Sequence, residues 1–402
     1  MARYLLAPCN NTLSHVAKCL VLRRELAARG HEAFLAVAQA RAPFLDRLGE
    51  RDYLVLPDLQ EADGGALPVF AWFRPERFEA CVRAELALLR DLRPDTMLGV
   101  FRFTGPVSAQ LAGVPYDALI CGSMTPACTD VLGFSPGEAG ADQQAEAMAF
   151  FRQTCARRIA PALANLGLDP VADAWQLLQG RQTFLWDFPE FQPLPETPGY
   201  RHVGPLLWPV WPHPDHDEEA LARLRRPIAY VAFGTGRVPP GLLRHLVTAL
   251  WHLDYAVALA LGGQSLAEAL PNDPERLAVF EFLPAERGLA MAALVVCHGG
   301  QNLVFEALRQ QVPVFVLPFQ PEQAQNGVCV ERLGCGRRLL RGQVYTGQAD
   351  AVGAAFLARP VADLAGGIAA SLADPDTANN LAHASEHLAR FRGAAAIAEA
   401  MT

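Results

Sequence analysis

The sequence predicts an α/β protein made of two parallel-sheet domains. Short apolar runs alternate with helical patterns in both halves of the 402-residue chain, as in parallel sheets whose two faces are covered by helices. A proline-dense stretch from Pro189 to Pro214 divides the halves. Because proline lacks a backbone N–H and does not suit a helix interior or a central strand, we place an interdomain linker at residues 205–226.

The first half shows the alternation of strands and helices most clearly. The helix from His15 to Arg29 is closed by Gly30, and the helix from Glu76 to Leu92 stops before Pro94, which are usual places for glycine and proline at helix ends. A long helical pattern also runs from about 142 to 166. The predicted strands are Tyr4–Ala7, Glu32–Ala38, Tyr53–Leu56, Thr96–Phe101, Tyr116–Cys121 and Thr183–Trp186.

The second half repeats the pattern with near-continuous apolar runs, which suit strands buried on both faces. We therefore expect an N-terminal domain (1–204), the linker, a C-terminal domain (227–378) and C-terminal helices (379–402) that pack back on the first domain. We expect the two domains to face each other across a cleft at the carboxyl ends of both sets of strands. Ligands bind at these ends in parallel sheets. The predicted strands are Ile228–Phe233, Ala256–Leu261, Leu277–Phe282, Leu294–Cys297 and Val312–Leu317.

Composition excludes several classes of protein. The net charge is −8 and no basic tract occurs, which argues against a nucleic-acid partner or an anionic membrane surface. The nine cysteines form no CxxC pair, so free thiols in a reducing compartment are expected rather than disulfides or a zinc site. The apolar stretch Gly288–Cys297 is too short to span a bilayer, and Tyr4–Ala7 is too short for a signal-peptide core. These observations predict a soluble, cytoplasmic protein without a membrane span.

The segment after Cys297 is the richest in candidate functional residues. His298-Gly299-Gly300 follows an apolar strand directly and precedes a helical pattern. Glycines at a strand-to-helix turn leave the first backbone N–H groups uncovered, and the helix dipole favours an anion there. The alternative interpretation is a tight turn with a core histidine.

Two further clusters follow apolar strands. Glu322 and Gln323 come after Val314–Leu317, and a carboxylate beside an amide suits sugar hydroxyls, although acidic residues also decorate ordinary helix N-termini. Gly234-Thr235-Gly236 follows Ile228–Phe233 and could contribute a hydroxyl and amides to a phosphate, or form an ordinary turn. The chain has no GxGxxG where a nicotinamide or flavin protein needs it, and no Walker A sequence.

Together these segments resemble the donor-binding signature of glycosyltransferase family 1, whose members include bacterial macrolide and natural-product glycosyltransferases. Softer similarities lie in the first half. The resemblance covers nearly the whole chain and implies the GT-B fold, in which two Rossmann-like domains face each other across a cleft. The segments are Leu26–Glu32, Arg93–Asp95, Leu111–Pro115, His202–Pro205, Phe282–Pro284, Val296–Gly300, Glu306–Leu308, Val312–Pro313 and Pro318–Asn326.

The resemblance implies a role for each motif residue in holding a nucleotide diphosphate sugar. His298 and the amides of Gly299 and Gly300 would hold the diphosphate, helped by Thr235. The remaining donor residues would be Phe282 and Leu283 at the nucleobase, Glu306 at the ribose, and Glu322 and Gln323 at the sugar, where the family usually has Asp-Gln. His15 falls on the family's catalytic histidine, and the helix start favours the neutral imidazole that a base requires.

The sequence departs from the family pattern in two places. After the second glycine the family often has Ser-Gly-Thr, whereas this chain has Gln301-Asn302-Leu303; a hydroxyl near the phosphate is lost, and we still assign Asn302 to the donor site. The aspartate that usually orients the catalytic histidine aligns with Val100, which cannot hold an imidazole tautomer. Asp117 and Asp130 are weak substitutes.

The resemblance therefore predicts an inverting, hexosyltransferase-type enzyme. It would move a sugar from a UDP or dTDP donor to a hydroxyl of a small hydrophobic or aromatic acceptor, with the nucleotide sugar as co-substrate and no metal or other cofactor. The spacings Asp215-His216-Asp217 and Asp374-Pro375-Asp376 lie beside proline and suit solvated loops better than a metal site. The oligomeric state stays open between monomer and homodimer.

Two other functions compete with this prediction. A catalytically weakened homologue would bind a nucleotide sugar or act as an auxiliary partner of an active transferase, and Val100 favours it. An epimerase or hydrolase on the same fold would need further acids facing the sugar. Candidate acceptor-lining residues, each of which could instead belong to the core, are Met124, Phe134, Met148, Phe150 and Phe151 within Ser123–Phe151, and Phe70, Trp72 and Phe73.

Overall fold

The structure is a computed structural model that describes residues 1–62, 65–66, 69–208, 218–266, 269–345 and 349–401. The chain divides into two compact units. The first comprises Met1–Thr129, Glu146–Pro212 and Phe391–Thr402, and the second comprises Asp130–Ala145 and His213–Arg390. Each unit is built on one parallel sheet, so the predicted α/β class with two parallel-sheet domains is confirmed.

The first unit contains a seven-stranded sheet in the order β3-β2-β1-β6-β7-β8-β9, with a separate antiparallel pair, β4 and β5. The elements up to β9 are β1 (Arg3–Pro8), α1 (Leu13–Ala28), β2 (Glu32–Val37), α2 (Ala42–Arg47), β3 (Leu54–Val55), β4 (Glu61–Ala62), β5 (Gly65–Ala66), α3 (Val69–Trp72), α4 (Pro75–Leu92), β6 (Thr96–Val100), α5 (Gly105–Ala112), β7 (Tyr116–Ile120), α6 (Ala141–Asn165), β8 (Thr183–Leu185) and β9 (Tyr200–His202). Short 3₁₀ turns cover Gln39–Arg41, Gly122–Met124 and Ala174–Leu178.

The second unit contains a six-stranded sheet in the order β12-β11-β10-β13-β14-β15. Its elements are α7 (Glu218–Arg223), β10 (Ile228–Ala232), α8 (Leu242–His252), β11 (Ala256–Ala260), β12 (Leu277–Phe280), α9 (Ala285–Met291), β13 (Leu294–Cys297), α10 (Gln301–Arg309), β14 (Val314–Val316), α11 (Pro321–Arg332), β15 (Gly336–Arg338), α12 (Ala349–Leu357), α13 (Val361–Leu372) and α14 (Thr377–Ala389). The last helix, α15 (Ala394–Met401), belongs to the first unit.

Both sheets reverse their strand order at one point. In the first unit β1 lies between β2 and β6, and in the second unit β10 lies between β11 and β13. In open parallel sheets the loops splay apart at such a switch point, and ligands bind outside the carboxyl ends of the two strands. The topology therefore directs attention to the residues after β1 and β6, and to those after β10 and β13.

Both sheet interiors follow from the apolar runs. The residues of β6, β7, β10, β11 and β13 are all buried. In the second unit Leu246 and Leu250 of α8 pack with Val231 and Val257 of the sheet. Apolar residues three to four positions apart on a helix cover the sheet in this way. These strands were predicted, whereas β9 and β15, which are short and carry arginine, were not.

The unit boundaries differ from the predicted domains. Asp130–Ala145 belongs to the second unit, because the Arg338 guanidinium donates to the carbonyl of Gly133 (2.5 Å) and to Glu138 (2.8 Å). Near the C-terminal end of the described chain, α14 packs on α10 within the second unit, whereas α15 packs on α1 within the first unit. Of the predicted C-terminal segment 379–402, the part up to Arg390 thus lies in the second unit and Phe391–Thr402 lies in the first. Part of the predicted linker, 209–217, lies outside the described residues.

Three other expectations can be compared with the described residues. The nine cysteines are free thiols. No group of three or more His, Cys, Asp or Glu among the described residues is placed to hold a metal ion. Asp215 and Asp217 lie outside the described residues, whereas the Asp374 carboxylate accepts from Asp376 N (3.0 Å) ahead of α14. Within the described ranges no single helix passes a length and hydropathy test for a membrane span; α12 and α13, bent by 91°, pass only as a pair.

Candidate functional site

The switch point of the second sheet brings His298 together with two glycine-containing loops. His298 follows β13, and Gly234 follows β10. A Cβ placed on Gly234 would lie 3.1 Å from Cε1 of His298, and one on Gly300 would lie 2.6 Å from Nε2. The imidazole therefore lies against both loops.

Gly299 is required by the geometry of this turn. Its φ is +92°, and a Cβ there would lie 2.6 Å from the carbonyl oxygen of Gln323. Larger residues are therefore excluded both by conformation and by space. Gly300 is the N-cap of α10 and provides no side-chain cap, so N–H groups at the helix start remain available to an anion.

His298 is a neutral imidazole near pH 7. Burial lowers its pKa from the ordinary value to about 4, and hydrogen bonding with the Ala232 backbone opposes this shift. Its Nδ1 atom is buried without a hydrogen-bond partner in the described structure. A neutral imidazole has a single N–H, so His298 can donate a hydrogen bond to an anion through Nδ1 in the tautomer that carries its proton on that atom.

The loop after β10 is held by a residue that the sequence analysis missed. Nε2 of Gln264 donates to the carbonyl of Gly234 (3.0 Å), and its Oε1 accepts from Val238 N (3.2 Å). Thr235 is exposed at the tip of this loop. Gln264 thus fixes the loop that presents Thr235. The signal was weak, because a glutamine after Gly-Gly has no distinctive spacing.

The predicted nucleobase residues follow β12. Phe282 is half-buried, and its ring lies 2.8 Å from a Cβ placed on Gly263. The side chain of Leu283 is buried, and its carbonyl accepts from the Tyr230 hydroxyl (3.1 Å). Phe282 is thus the one of the two whose side chain reaches the surface of this unit.

Glu306 lies on α10, two turns after the glycines. Its Oε1 accepts from Arg309 (2.5 Å) and from Nε2 of Gln310 (2.9 Å). Asn302 lies in the first turn of the same helix and is half-buried. Asn302 and Glu306 are four residues apart and therefore lie on the same side of the helix that begins at the glycine turn.

The first turn of α11 contains Glu322 and Gln323. Gln323 Oε1 accepts from Phe319 N (2.9 Å), so the side-chain carbonyl caps its own helix and the amide NH₂ is the group left to face a ligand. Nδ2 of Asn326 donates to Glu322 (3.1 Å) and to the carbonyl of Gly299 (2.8 Å). Asn326, which was quoted in the motif without a role, therefore joins the glycine turn to Glu322.

The switch point of the first sheet contains His15, near the start of α1. His15 is 8 % exposed, and its ring stacks on Phe101 (centroids 5.6 Å apart) and lies against Trp186 (5.5 Å). Burial lowers its pKa to about 3, the charge of Lys18 adds to this, and hydrogen bonding with the Cys9 backbone opposes it. Nδ1 has no partner among the described residues. His15 is thus a neutral and weak base.

No carboxylate holds His15 from the end of β6. Val100 is fully buried, and its carbonyl accepts from Cys9 N (2.8 Å). The next residue, Phe101, has a left-handed φ of +52°, which is unfavourable for a bulky side chain. Its ring faces His15, so the position that bears on the histidine is Phe101 rather than Val100.

The two substitute acids do not act on His15 through hydrogen bonds. Asp117 lies near the amino end of β7, where Arg181 donates to it (2.8 Å and 3.1 Å). Asp130 belongs to the second unit, where it accepts from Nε2 of Gln325 (2.8 Å).

A buried ionic cluster near the first switch point was not predicted. Arg102 pairs with Asp58 (3.1 Å) and Glu85 (2.7 Å), and all three side chains are almost completely buried. Asn10, just after β1, donates through Nδ2 to Asp58 (2.5 Å). These contacts join the loops after β1, β3 and β6. Long-range pairs of this kind leave no local pattern in a sequence.

The predicted acceptor-lining residues fall into different environments. Phe73 is 1 % exposed and packs on Phe103, so it belongs to the core. Phe134 belongs to the second unit and is buried. Phe70 and Phe151 contact each other edge to face (5.2 Å) at the surface of the first unit. The other candidates are Phe150, which is 63 % exposed, Met124, which is buried, and Trp72 and Met148, which are half-buried.

Comparison with known proteins agrees with the fold. Residues 243–347 match the model of the glycosyltransferase family 28 C-terminal domain. The chain is 29 % identical over 345 residues to a PGL/p-HBAD biosynthesis rhamnosyltransferase of Mycobacterium tuberculosis, covering 81 % of this chain and 74 % of the relative. It is also 29 % identical over 370 residues to the demethyllactenocin mycarosyltransferase of Streptomyces fradiae, covering 82 % and 74 %.

A solved structure extends the similarity over the full chain. The glycotransferase of kitacinnamycin superposes with a TM-score of 0.75 at 20 % identity, covering 100 % of this chain and 98 % of the other. This similarity supports the fold. The matched family model is family 28, and the assignment to family 1 stays a prediction. The chain therefore has the GT-B fold, and its relatives are glycosyltransferases of natural-product biosynthesis.

Proposed function

We propose that this protein is an inverting glycosyltransferase that moves a sugar from a UDP or dTDP donor to a hydroxyl of a small hydrophobic or aromatic acceptor. The observation that carries the proposal is the turn His298-Gly299-Gly300 at the switch point of the second sheet. It combines an imidazole N–H, uncapped backbone amides and the positive end of α10. Such groups suit a diphosphate.

The donor would lie along the carboxyl ends of β10 to β14. Its diphosphate would bind His298, Gly299, Gly300 and Thr235, and the other donor groups would extend on either side. The assigned residues are Phe282 and Leu283 for the nucleobase, Asn302 and Glu306 for the nucleoside, and Glu322 and Gln323 for the sugar. Asn326 would keep Glu322 in register with the diphosphate turn.

His15 would act as the general base. The acceptor oxygen forms a bond to the anomeric carbon while the bond from that carbon to the diphosphate oxygen breaks, and the acceptor proton moves to His15. The nucleoside diphosphate leaves with charge balanced by His298 and the α10 N-terminus. We propose that N–H donors supply this stabilisation without a metal ion. Attack opposite the leaving group converts an α-linked donor into a β-glycoside.

A catalytically weakened homologue is the second candidate. It is favoured by the lack of a carboxylate hydrogen-bonded to His15 among the described residues, since no carboxylate would stabilise the imidazolium that forms when His15 takes a proton. A calorimetric panel of nucleoside diphosphates and their sugars, followed by product mass spectrometry with an acceptor panel, separates the two. Product formation supports the transferase, and donor binding without turnover supports the homologue.

Replacing Phe101 with aspartate is expected to raise the rate on an alkyl alcohol by at least about tenfold, because a carboxylate beside His15 would stabilise the imidazolium. Aspartate also tolerates the left-handed backbone better than phenylalanine. The check is kcat/KM for a primary alcohol. Phe101→Asn provides the matched control without charge, and an equal rate for the two variants would contradict the expectation.

Replacing Glu322 with alanine should weaken binding of the nucleotide sugar by about 10- to 100-fold, as for loss of a charged hydrogen bond. The bare nucleoside diphosphate should bind almost as before. Titration calorimetry with both ligands measures the difference, and Glu322→Asp should retain sugar binding. Equal losses for the two ligands would show that Glu322 acts through the fold.

We also propose a cytoplasmic location. The nine cysteines are free and eight of them are buried, and unpaired thiols are typical of a reducing compartment. The donor and acceptor are the proposed small-molecule partners.

A further inference from the structure

A segment from the first half of the sequence packs on the helix that contains the proposed sugar-binding residues. Residues Asp130–Ala145, here called the strap, belong to the second unit. The strap forms hydrogen bonds with α11 and with the strand and loop that follow it. The first turn of α11 contains Glu322 and Gln323. The strap therefore bears on the part of the second unit to which we assign the donor sugar.

Gly133 is the point at which the strap approaches α11 most closely by the available contacts. Its N–H donates to Oε1 of Gln325 (3.2 Å), and its carbonyl accepts from Arg338 (2.5 Å). Its φ is +88°, and a Cβ placed on it would lie 2.6 Å from the Cβ of Ala324. Conformation and space both require glycine here, so the backbone of the strap lies directly against the helix.

The side chain of Gln325 holds the strap in two directions. Gln325 is fully buried; its Oε1 accepts from Gly133 N, and its Nε2 donates to the Asp130 carboxylate (2.8 Å). A buried amide is costly to leave without hydrogen bonds. A shift of α11 away from the strap would break both bonds, so the pair of contacts fixes the helix at this point.

The glycine turn holds the same part of α11 from another side. Nδ2 of Asn326 donates to the carbonyl of Gly299 (2.8 Å) and to Glu322 (3.1 Å). The carbonyl oxygen of Gln323 lies 2.6 Å from a Cβ placed on Gly299. The start of α11 is therefore held between the turn proposed for the diphosphate and the strap.

A buried arginine fixes the strap at the far end of α11. The side chain of Arg338 is 1 % exposed and pairs with Glu138 of the strap (2.8 Å) and with Glu331 in the last turn of the helix (2.9 Å). It also donates to the Ser135 hydroxyl (3.0 Å). Because breaking a buried ion pair leaves an uncompensated charge, these groups keep the strap in place along α11.

We propose that the strap is a positioning element for the donor sugar, and that Gln325 is the positioning residue through which it fixes the start of α11. The proposal rests on the proposed glycosyltransferase function. Glu322 and Gln323 would contact the sugar, whereas Gln325 would act only by keeping their helix in register with the diphosphate turn. A nucleoside diphosphate has no sugar in this subsite, so its binding should depend much less on the strap.

A steric test uses two glycines of the strap. Gly133→Ala would push a methyl group against Ala324, whereas a Cβ on Gly137 meets no atom within 4 Å. Both glycines have a left-handed φ (+88° and +76°), so Gly137→Ala is the matched control for backbone strain.

Hydrogen exchange measured by mass spectrometry on the ligand-free, full-length protein reports the effect on the helix. Backbone amides in the first half of α11 should exchange about 3- to 10-fold faster in Gly133→Ala, since a loosened segment opens more often. Gly137→Ala should exchange like the wild type in the same amides.

A charge test uses Gln325 and Asp130. Gln325→Glu would place two carboxylates against each other, and like charges at this distance repel. Adding Asp130→Asn should restore the contact with its polarity reversed, because the new amide donates to the new carboxylate. Asp130→Asn alone keeps an oxygen that accepts from Gln325 and is the matched control.

Titration calorimetry measures the result as a ratio of affinities, for UDP-glucose against UDP and for dTDP-glucose against dTDP. Gln325→Glu should lower the sugar-to-diphosphate ratio by about 3- to 10-fold, as for loss of one hydrogen bond. The double variant and Asp130→Asn should both show the wild-type ratio.

The outcomes separate this inference from the function on which it rests. Unchanged exchange in folded Gly133→Ala, equal losses for sugar and diphosphate in Gln325→Glu, or no recovery in the double variant would overturn the positioning role. Faster exchange in α11 of Gly133→Ala, together with a wild type that binds none of the four nucleotides, would refute the proposed function alone.

Discussion

Replacing His15 with alanine is expected to slow glycosyl transfer to an alkyl alcohol by about 10²–10⁴-fold, the usual contribution of a general base. The loss should be smaller for a phenol, whose proton leaves more easily. The measurement is kcat/KM for both acceptors. The physical basis is the position of His15 at the first switch point, where its imidazole is neutral because burial keeps its pKa near 3.

His31→Ala is the matched control for this experiment. His31 lies in the same unit, where its Nδ1 accepts from Ala2 N (3.2 Å) at the amino ends of β1 and β2, away from the edge where ligands bind. Its replacement should leave kcat/KM unchanged. Full activity of His15→Ala on every acceptor, with an unchanged melting temperature, would show that another residue is the base.

Replacing His298 with alanine is expected to weaken nucleoside diphosphate binding by about 1–3 kcal/mol, as for one hydrogen bond to a charged group. The neutral imidazole packs between the loops after β10 and β13, and its N–H would be lost. The pKa of His298 in the free protein is about 4, so its imidazole stays neutral between pH 6 and 8. We therefore expect that titration of His298 in the free protein does not change the nucleotide affinity over this pH range.

Titration calorimetry checks this prediction. His252→Ala removes an exposed histidine at the end of α8 in the same unit and should bind the nucleotide like the wild type. Equal affinities of His298→Ala and wild type would remove His298 from the donor site.

The central strands and long helices could be predicted because their patterns are local. Thr96–Val100 and Ile228–Ala232 are uninterrupted apolar runs that become buried strands, and α6 was placed within one residue at each end. The short strand β15 contains Arg337 and Arg338 and has no such pattern. It forms because β14 provides a parallel edge with which it can pair.

The strand–turn–helix arrangement around His298-Gly299-Gly300 could be predicted because its residues are close together in sequence. By contrast, the transfer of Asp130–Ala145 to the second unit depends on Arg338, which is about 200 residues away from Glu138. The contact of Phe101 with His15 depends on a left-handed backbone at one residue, which apolar periodicity does not reveal. The residue that contacts His15 is thus Phe101, one position after the Val100 with which the family's aspartate was aligned.

Simultaneous detection of glycoside formation and nucleoside diphosphate release tests the central claim most directly. The wild-type protein would be incubated with a panel of UDP- and dTDP-sugars and a phenolic acceptor, and the products analysed by mass spectrometry and by the anomeric coupling in NMR spectra. The account predicts a β-glycoside from an α-linked donor, with one nucleoside diphosphate released for each glycoside formed. Retention of the α configuration, or release of nucleoside diphosphate without any glycoside, would contradict it.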